Sequence, residues 1–332
     1  MTANSSYRAP RWLPGGHLQT LYPALFVRRP RVAYRRERWE TPDGDFVDVD
    51  WISSKVNGDG ATAAGIEGTP LLVLFHGLEG SSTSHYAHAL MAHVRDLGWR
   101  GVVVHFRGCS GEANRLARAY HSGDSAEIDW MLRRLSAHAS GPLYAAGVSL
   151  GGNALLKWLG EQAHAAADVV AGAAAVSAPL DLMAAGDALG RGFNLVYTRA
   201  FLSSLKRKSI AKLAAHPLIY DAALVRSAQT LRAFDNVVTA PLHGFRDTDD
   251  YWTRASSKPW LAHIAVPTLL INARNDPFLP EAALPREQDV SRYVTRDFPD
   301  EGGHVGFVSG PFPGRLEWLP RRIIEFLRRA DC

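Results

Sequence analysis

Short apolar runs recur along the chain, each closed by a glycine- or aspartate-bearing turn and most followed by a stretch of helical periodicity. The runs at residues 70–75, 101–106, 143–146, 167–177 and 266–272 are nearly continuous rather than alternating. That is the pattern of strands covered on both faces, as in a parallel sheet. Helices are expected from Ser82 to about residue 97, from Asp124 or Ser125 (as cap) to about 138, over 154–159, and from about 319 to 329. A last strand is expected near 293–298. Ahead of all these, residues 38–40 and 46–51 alternate around Pro42-Asp43-Gly44, which reads as a hairpin with one polar and one apolar face. Strand–helix alternation of this kind predicts an α/β fold, a mostly parallel central sheet with helices on both faces.

The alternation stops from about 181 to 260. This stretch carries helical patterns at 193–208, 210–215 and 223–234, and aromatics, Phe245, Tyr251 and Trp252, that read as exposed. It is expected to form a helical lid insertion, with plain packing helices as the alternative. Residues 1–30 are rich in proline and arginine and read as an irregular segment without chemistry; its lone His17 reads as structural. Residues 31–332 are then one domain, with 55–68 as a loose surface loop.

The chemistry concentrates where the strands end. Gly147-Val-Ser-Leu-Gly151 follows the 143–146 run and leads into an apolar helix, the strand–turn–helix context of a nucleophile elbow. Ser149 at its apex faces the N-terminus of a helix, where free N–H groups and the dipole favour a developing oxyanion. Asp276, just past the 266–272 run and followed by Pro277, is placed as an orienting acid. His304, after Gly302-Gly303, is placed as the base. Serine is a weak nucleophile near neutral pH, so it needs an imidazole to take its proton and a carboxylate to fix the imidazole's tautomer. His76-Gly77-Leu78 ends the 70–75 run, and the backbone N–H groups of Leu78 and Leu150 are the expected oxyanion donors.

Composition narrows the alternatives. The chain has 332 residues, 46% of them hydrophobic, with a formal net charge of +4. Arg28, Arg29, Arg31, Arg35, Arg36 and Arg38 cluster early; an anionic membrane surface or nucleic acid could use such a cluster, but it reads as a solvated face. No nucleic-acid motif accompanies them. Two cysteines, Cys109 and Cys332, do not suggest a structural disulfide, and Cys109 reads as loop packing. His85, His88 and His93 share a helix without metal-ligand spacing. No metal or cofactor is called for. No apolar run approaches the roughly 20 residues of a membrane span, and no signal peptide is visible, so a cytoplasmic location is expected.

With these residues in hand, the chain resembles the YheT-like family of α/β-hydrolases (α/β-hydrolase family 4). The resemblance rests on Gly16-His-Leu-Gln-Thr20, His76-Gly-Leu-Glu-Gly80, Phe106-Arg-Gly-Cys-Ser-Gly-Glu112 and Gly147-Val-Ser-Leu-Gly-Gly-Asn153. It continues through Phe234-Asp235, Gly244-Phe245, Asp250-Tyr251, Asn275-Asp276-Pro277 and Gly302-Gly-His-Val-Gly-Phe307. It implies an α/β-hydrolase fold, a Ser149–Asp276–His304 charge-relay set and action on carboxylic esters. The partner it implies is a small-molecule ester with an apolar acyl chain. Acyl transfer to an alcohol or thiol is the alternative chemistry, and a non-catalytic binding scaffold a third reading. Oligomeric state is left open.

Overall fold

The continuous apolar runs form the middle of one eight-stranded sheet. The computed structural model describes residues 7–53 and 68–330; nearly all of the expected 55–68 loop, and Cys332, lie outside the described residues. The strands are β1 (Tyr34–Glu40), β2 (Phe46–Ile52), β3 (Leu71–Phe75), β4 (Arg100–Val104), β5 (Leu143–Val148), β6 (Gly172–Val176), β7 (Thr268–Ile271) and β8 (Val294–Asp297). Their order across the sheet is β1-β2-β4-β3-β5-β6-β7-β8. The β1–β2 hairpin is antiparallel and docks antiparallel on β4, and every later pairing is parallel.

Both faces of the sheet are covered, which is why β3 reads as unbroken Leu-Leu-Val-Leu-Phe. Leu71, Val73 and Phe75 point into one core with Ile128 and Leu132 of α3 (Ser125–Ser136) and Leu155 and Leu159 of α4 (Leu150–Gln162). Leu72 and Leu74 point into the other, against Leu90 and Val94 of α2 (His85–Asp96) and Ile323 and Leu327 of α11 (Trp318–Ala330). The expected 167–177 strand is shorter, because residues 163–168 wind as a 3₁₀ turn before β6 begins.

Between β6 and β7 the chain builds α5 (Leu182–Leu189), α6 (Leu195–Lys212), α7 (Ala222–Ser227), α8 (Leu231–Val237), α9 (Thr239–Leu242) and α10 (Thr248–Ala255). These helices enclose small cores of their own, and Tyr251 and Trp252 are buried in one of them rather than exposed. Asn153 on α4 ties the segment's end to the sheet: its amide donates to the Ser122 and Ala255 carbonyls at 2.9 and 2.8 Å, and its oxygen accepts from Ser257 N–H at 3.0 Å.

Two further expectations change. On the polar face of the hairpin Asp48 and Asp50 are buried, because the exposed Arg38 and Arg36 of β1 cap them, with Nε–Oδ1 distances of 2.8 Å in both. And residues 1–30 are not all irregular: Gly16–Leu25 forms helix α1. The helix is amphipathic in the unusual sense, with Gln19, Thr20 and Pro23 turned inward and Leu18, Leu25 and the following Phe26 outward.

Candidate active site

The turn from β5 into α4 holds Ser149 at φ 52°, ψ −120°. A non-glycine residue in that region costs on the order of 1–3 kcal/mol, which the packed strand and helix must sustain. The approach is too close for side chains: a Cβ on Gly151 would lie 2.5 Å from the Phe75 carbonyl oxygen. Ser149 N–H donates to Val176 O at 2.8 Å, which leaves the hydroxyl to project beyond the sheet edge.

Asp276 follows β7 and His304 follows β8, so the strand order brings both loops to that edge. His304 Nε2 lies 3.0 Å from Ser149 Oγ, and its Nδ1 lies 2.9 Å from Asp276 Oδ2. The Asp276 side chain is fully buried, and its second oxygen accepts the Phe278 N–H at 2.8 Å. Phe278 also stacks on the His304 ring, with centroids 4.1 Å apart. The three residues nominated from sequence thus form one hydrogen-bonded chain.

The oxyanion candidates lie beside it. A Cβ on Gly77 would approach the Ser149 Cβ to 3.1 Å, so the 76–80 loop runs directly alongside the serine. Among the described residues, the N–H groups of Leu78 and Leu150 have no hydrogen-bond partner. The loop is held by His76, whose Nε2 accepts from Phe106 N–H at 3.1 Å, so the proton sits on Nδ1 and donates to Gly77 O at 2.8 Å. Burial pushes His76 down to about 3, which keeps the ring neutral.

Several residues that sequence reasoning left without a role hold this arrangement in place. Gln19 on α1 is buried, and its side-chain Oε1 accepts from Gly302 N–H at 2.8 Å and Asn275 Nδ2 at 2.9 Å. It thereby bridges the loops bearing His304 and Asp276. Thr20 Oγ1 accepts the His304 backbone N–H at 2.8 Å and donates to Gly16 O at 2.7 Å. A Cβ on Gly306 would lie 2.0 Å from the Gln19 carbonyl oxygen, so helix and loop pack backbone to backbone. His17 is indeed packed, with Nδ1 3.1 Å from the Tyr197 hydroxyl. His85 lies 3.2 Å from Val305 O, steadying the residue after His304, whereas His88 faces Tyr34. Glu79, at φ 55°, accepts from Tyr120, Ser204 and Lys208, fastening the 76–80 loop to α6. The signal for α1 was the Gly16-His-Leu-Gln-Thr20 motif, which hydropathy alone does not reveal.

Ser149 and His304 open onto a cavity of about 510 Å³ between the sheet edge and helices α5, α6 and α8. Leu182, Leu189, Phe201, Leu205, Phe234 and Phe278 give it a largely apolar wall. Asp235 also lines it, held up at about 6 by burial despite hydrogen bonds from Thr239 and Trp252. Cys109 is at the cavity too, but nearly buried, and burial pushes its thiol up to about 12. Among the described residues no group of three or more His, Cys, Asp or Glu side chains is arranged to hold a metal ion. No described helix is long and apolar enough to cross a membrane.

The sheet order and the strand-to-helix elbow are those of an α/β-hydrolase, and the profile of the α/β-hydrolase fold family matches residues 70–311. The chain belongs to that family. More narrowly it is YheT-like: it is 42% identical over 317 residues to YheT of Escherichia coli (strain K12), provisionally named an esterase, covering 94% of this chain and 89% of that one. The mouse phospholipase ABHD3 is 29% identical over 333 residues, covering 97% and 78%. Among solved structures, Est1E from Butyrivibrio proteoclasticus superposes with a TM-score of 0.56 at 14% identity, covering 90% and 99%. The Pyrococcus furiosus esterase Pf2001 gives 0.54 at 18%, covering 90% and 93%. At such identities the last two share the fold alone.

Proposed function

We propose that the protein hydrolyses carboxylic esters through an acyl-enzyme on Ser149. The observation that carries this reading is the buried hydrogen-bonded chain from Asp276 through His304 to Ser149, opening onto an apolar cavity beside two unpaired N–H groups. In the first half-reaction His304 Nε2 takes the Ser149 proton as Oγ attacks the ester carbonyl. The carbonyl oxygen becomes an oxyanion facing the N–H groups of Leu78 and Leu150; one such donor contributes about 3–4 kcal/mol to the transition state. Collapse breaks the C–O bond, and the imidazolium returns its proton to the departing alcohol. Water then repeats the sequence on the acyl-enzyme and releases the acid. Asp276 holds Nδ1–H and stabilises the transient imidazolium. The apolar wall favours an acyl chain over a charged or sugar-like group.

The direct test is labelling with a serine-directed phosphonate, mapped by mass spectrometry of the digested protein. Stoichiometric modification of the peptide containing Ser149 is expected. A folded protein that resists the probe, or is modified elsewhere, would overturn the assignment.

The α1 contacts carry a second expectation. Thr20→Val keeps the shape of the side chain and removes the acceptor for the His304 N–H. A small displacement of a catalytic group can cost about 100-fold in rate. Thr20→Val should lower the phosphonate labelling rate and kcat by tenfold or more with KM nearly unchanged, and Thr20→Ser should restore both. Equal rates for wild type and Thr20→Val would remove α1 from the positioning of His304.

A further inference from the structure

Helix α1 turns its polar residues inward because the loops bearing His304 and Asp276 need hydrogen-bond partners there. The consequence lies on its other side. Leu18, Tyr22, Leu25 and Phe26 recur at i, i+4, i+7 and i+8, so they form one outward stripe. Leu18 is 52% exposed, Leu25 67% and Phe26 69%. The stripe is widened by Phe312, 71% exposed, whose ring meets those of Trp12 and Tyr22 at centroid distances of 5.5 and 6.5 Å. On the opposite flank His17 touches Phe193, itself half exposed, at 4.6 Å. Isolated exposed apolar residues need no explanation, but a contiguous patch of this kind marks an interaction surface.

Charge identifies the occupant. Of the six early arginines, Arg35, Arg36 and Arg38 are paired with Glu37, Asp50 and Asp48. Arg28, Arg29 and Arg31 come within five residues of Phe26, past the buried Val27, and are exposed, as is Arg11 next to Trp12. Among the described residues none of these four has a carboxylate partner. Arg29 instead reaches the Ala24 and Thr83 carbonyls at 2.7 Å each, which fixes its cation at the C-terminal end of the stripe. An apolar helix face rimmed by unneutralised arginines is the chemistry of a segment that lies in the interface of an anionic lipid surface. A second copy of this chain fits less well, because a twofold contact would set the same arginines against one another.

We infer that the outward face of α1, with Phe312 and the arginines at 11, 28, 29 and 31, docks the protein peripherally on anionic membranes. The aliphatic and aromatic side chains enter the headgroup–acyl boundary, and the guanidinium groups meet lipid phosphates. Docking then sets a lipid surface one helix away from His304, since Thr20 on the inner face of the same helix holds the His304 backbone.

Flotation of the full-length protein with lipid vesicles tests this. Binding is expected to vesicles with about a quarter phosphatidylglycerol in phosphatidylcholine, at least tenfold weaker to pure phosphatidylcholine, and weaker with added salt. Leu25→Ser with Phe26→Ser should reduce binding to the anionic vesicles by about tenfold or more. Arg28→Gln with Arg31→Gln should do so by a similar factor while leaving binding to neutral vesicles unchanged. Both pairs should keep the wild-type unfolding midpoint and circular dichroism, readouts that do not depend on the serine chemistry. Failure to float with anionic vesicles at low salt would overturn the inference. So would flotation indifferent to the Leu25/Phe26 pair in a folded protein. Loss of a concentration-dependent dimer in that pair, without vesicle binding by wild type, would assign the face to a second copy instead.

Discussion

Ser149→Ala is expected to lower ester turnover by about four to six orders of magnitude, and Cys109→Ala to leave it within about twofold of wild type. The two residues line the same cavity, and both a serine hydroxyl and a cysteine thiol can carry an acyl group. Their surroundings separate them. Ser149 Oγ has an imidazole 3.0 Å away that is itself anchored to a buried carboxylate, so its proton has somewhere to go as the nucleophile attacks. Cys109 Sγ has Lys208 Nζ at 3.7 Å, a donor rather than a base, and burial holds the thiol up at about 12, so it stays protonated and inert at working pH. Binding should survive in Ser149→Ala, because the cavity wall and the Leu78 and Leu150 N–H groups are untouched. Steady-state kcat and KM on a series of p-nitrophenyl esters check the pair. Retained turnover in Ser149→Ala together with loss in Cys109→Ala would move the nucleophile to Cys109.

How much of this could be read in advance depends on where each residue finds its partners. The central strands were legible because β3, β4 and β5 are buried on both faces and permit few polar residues. Ser149, Asp276 and His304 stood out because each directly follows a strand, and the parallel sheet carries all three to one edge. Helix α1 was not legible, since hydropathy assumes that apolar residues face the core. Here Gln19 and Thr20 face inward because partners over 250 residues away in sequence, at Asn275, Gly302 and His304, supply the hydrogen bonds that make their burial tolerable. The hairpin misled for a similar reason. Asp48 and Asp50 alternate as surface residues should, yet they are buried because Arg38 and Arg36 on the neighbouring strand cover them. Tyr251 and Trp252 read as exposed but are buried, because the helices between β6 and β7 have cores of their own, in which Gly186 makes room for the Trp252 ring. In each case the deciding contact lies outside the element that bears the residue, and local periodicity carries no record of it.

Asp276→Asn is expected to cost about 10⁴ in kcat with KM and fold preserved. The argument rests on the two hydrogen bonds that fix the carboxylate. One oxygen accepts the Phe278 N–H, a backbone donor that cannot reverse its role, so in the variant the amide oxygen must stay there. The amide nitrogen then faces His304 Nδ1, where the wild type presents an acceptor 2.9 Å away. To avoid two opposed donors, the imidazole must place its proton on Nε2 and offer Nδ1 as acceptor. That tautomer donates toward Ser149 instead of accepting from it, and the serine proton has no base. The ring itself should not move, since Phe278 stacks on its face and Thr20 holds its backbone N–H. Geometry is thus preserved while the proton is misplaced, which separates this variant from Thr20→Val, where the proton is in place and the position shifts. Phosphonate labelling rates and kcat read the effect directly. A variant retaining more than about a tenth of wild-type kcat would mean that Phe278 and Thr20 suffice to orient His304 and that the Asp276 charge is dispensable.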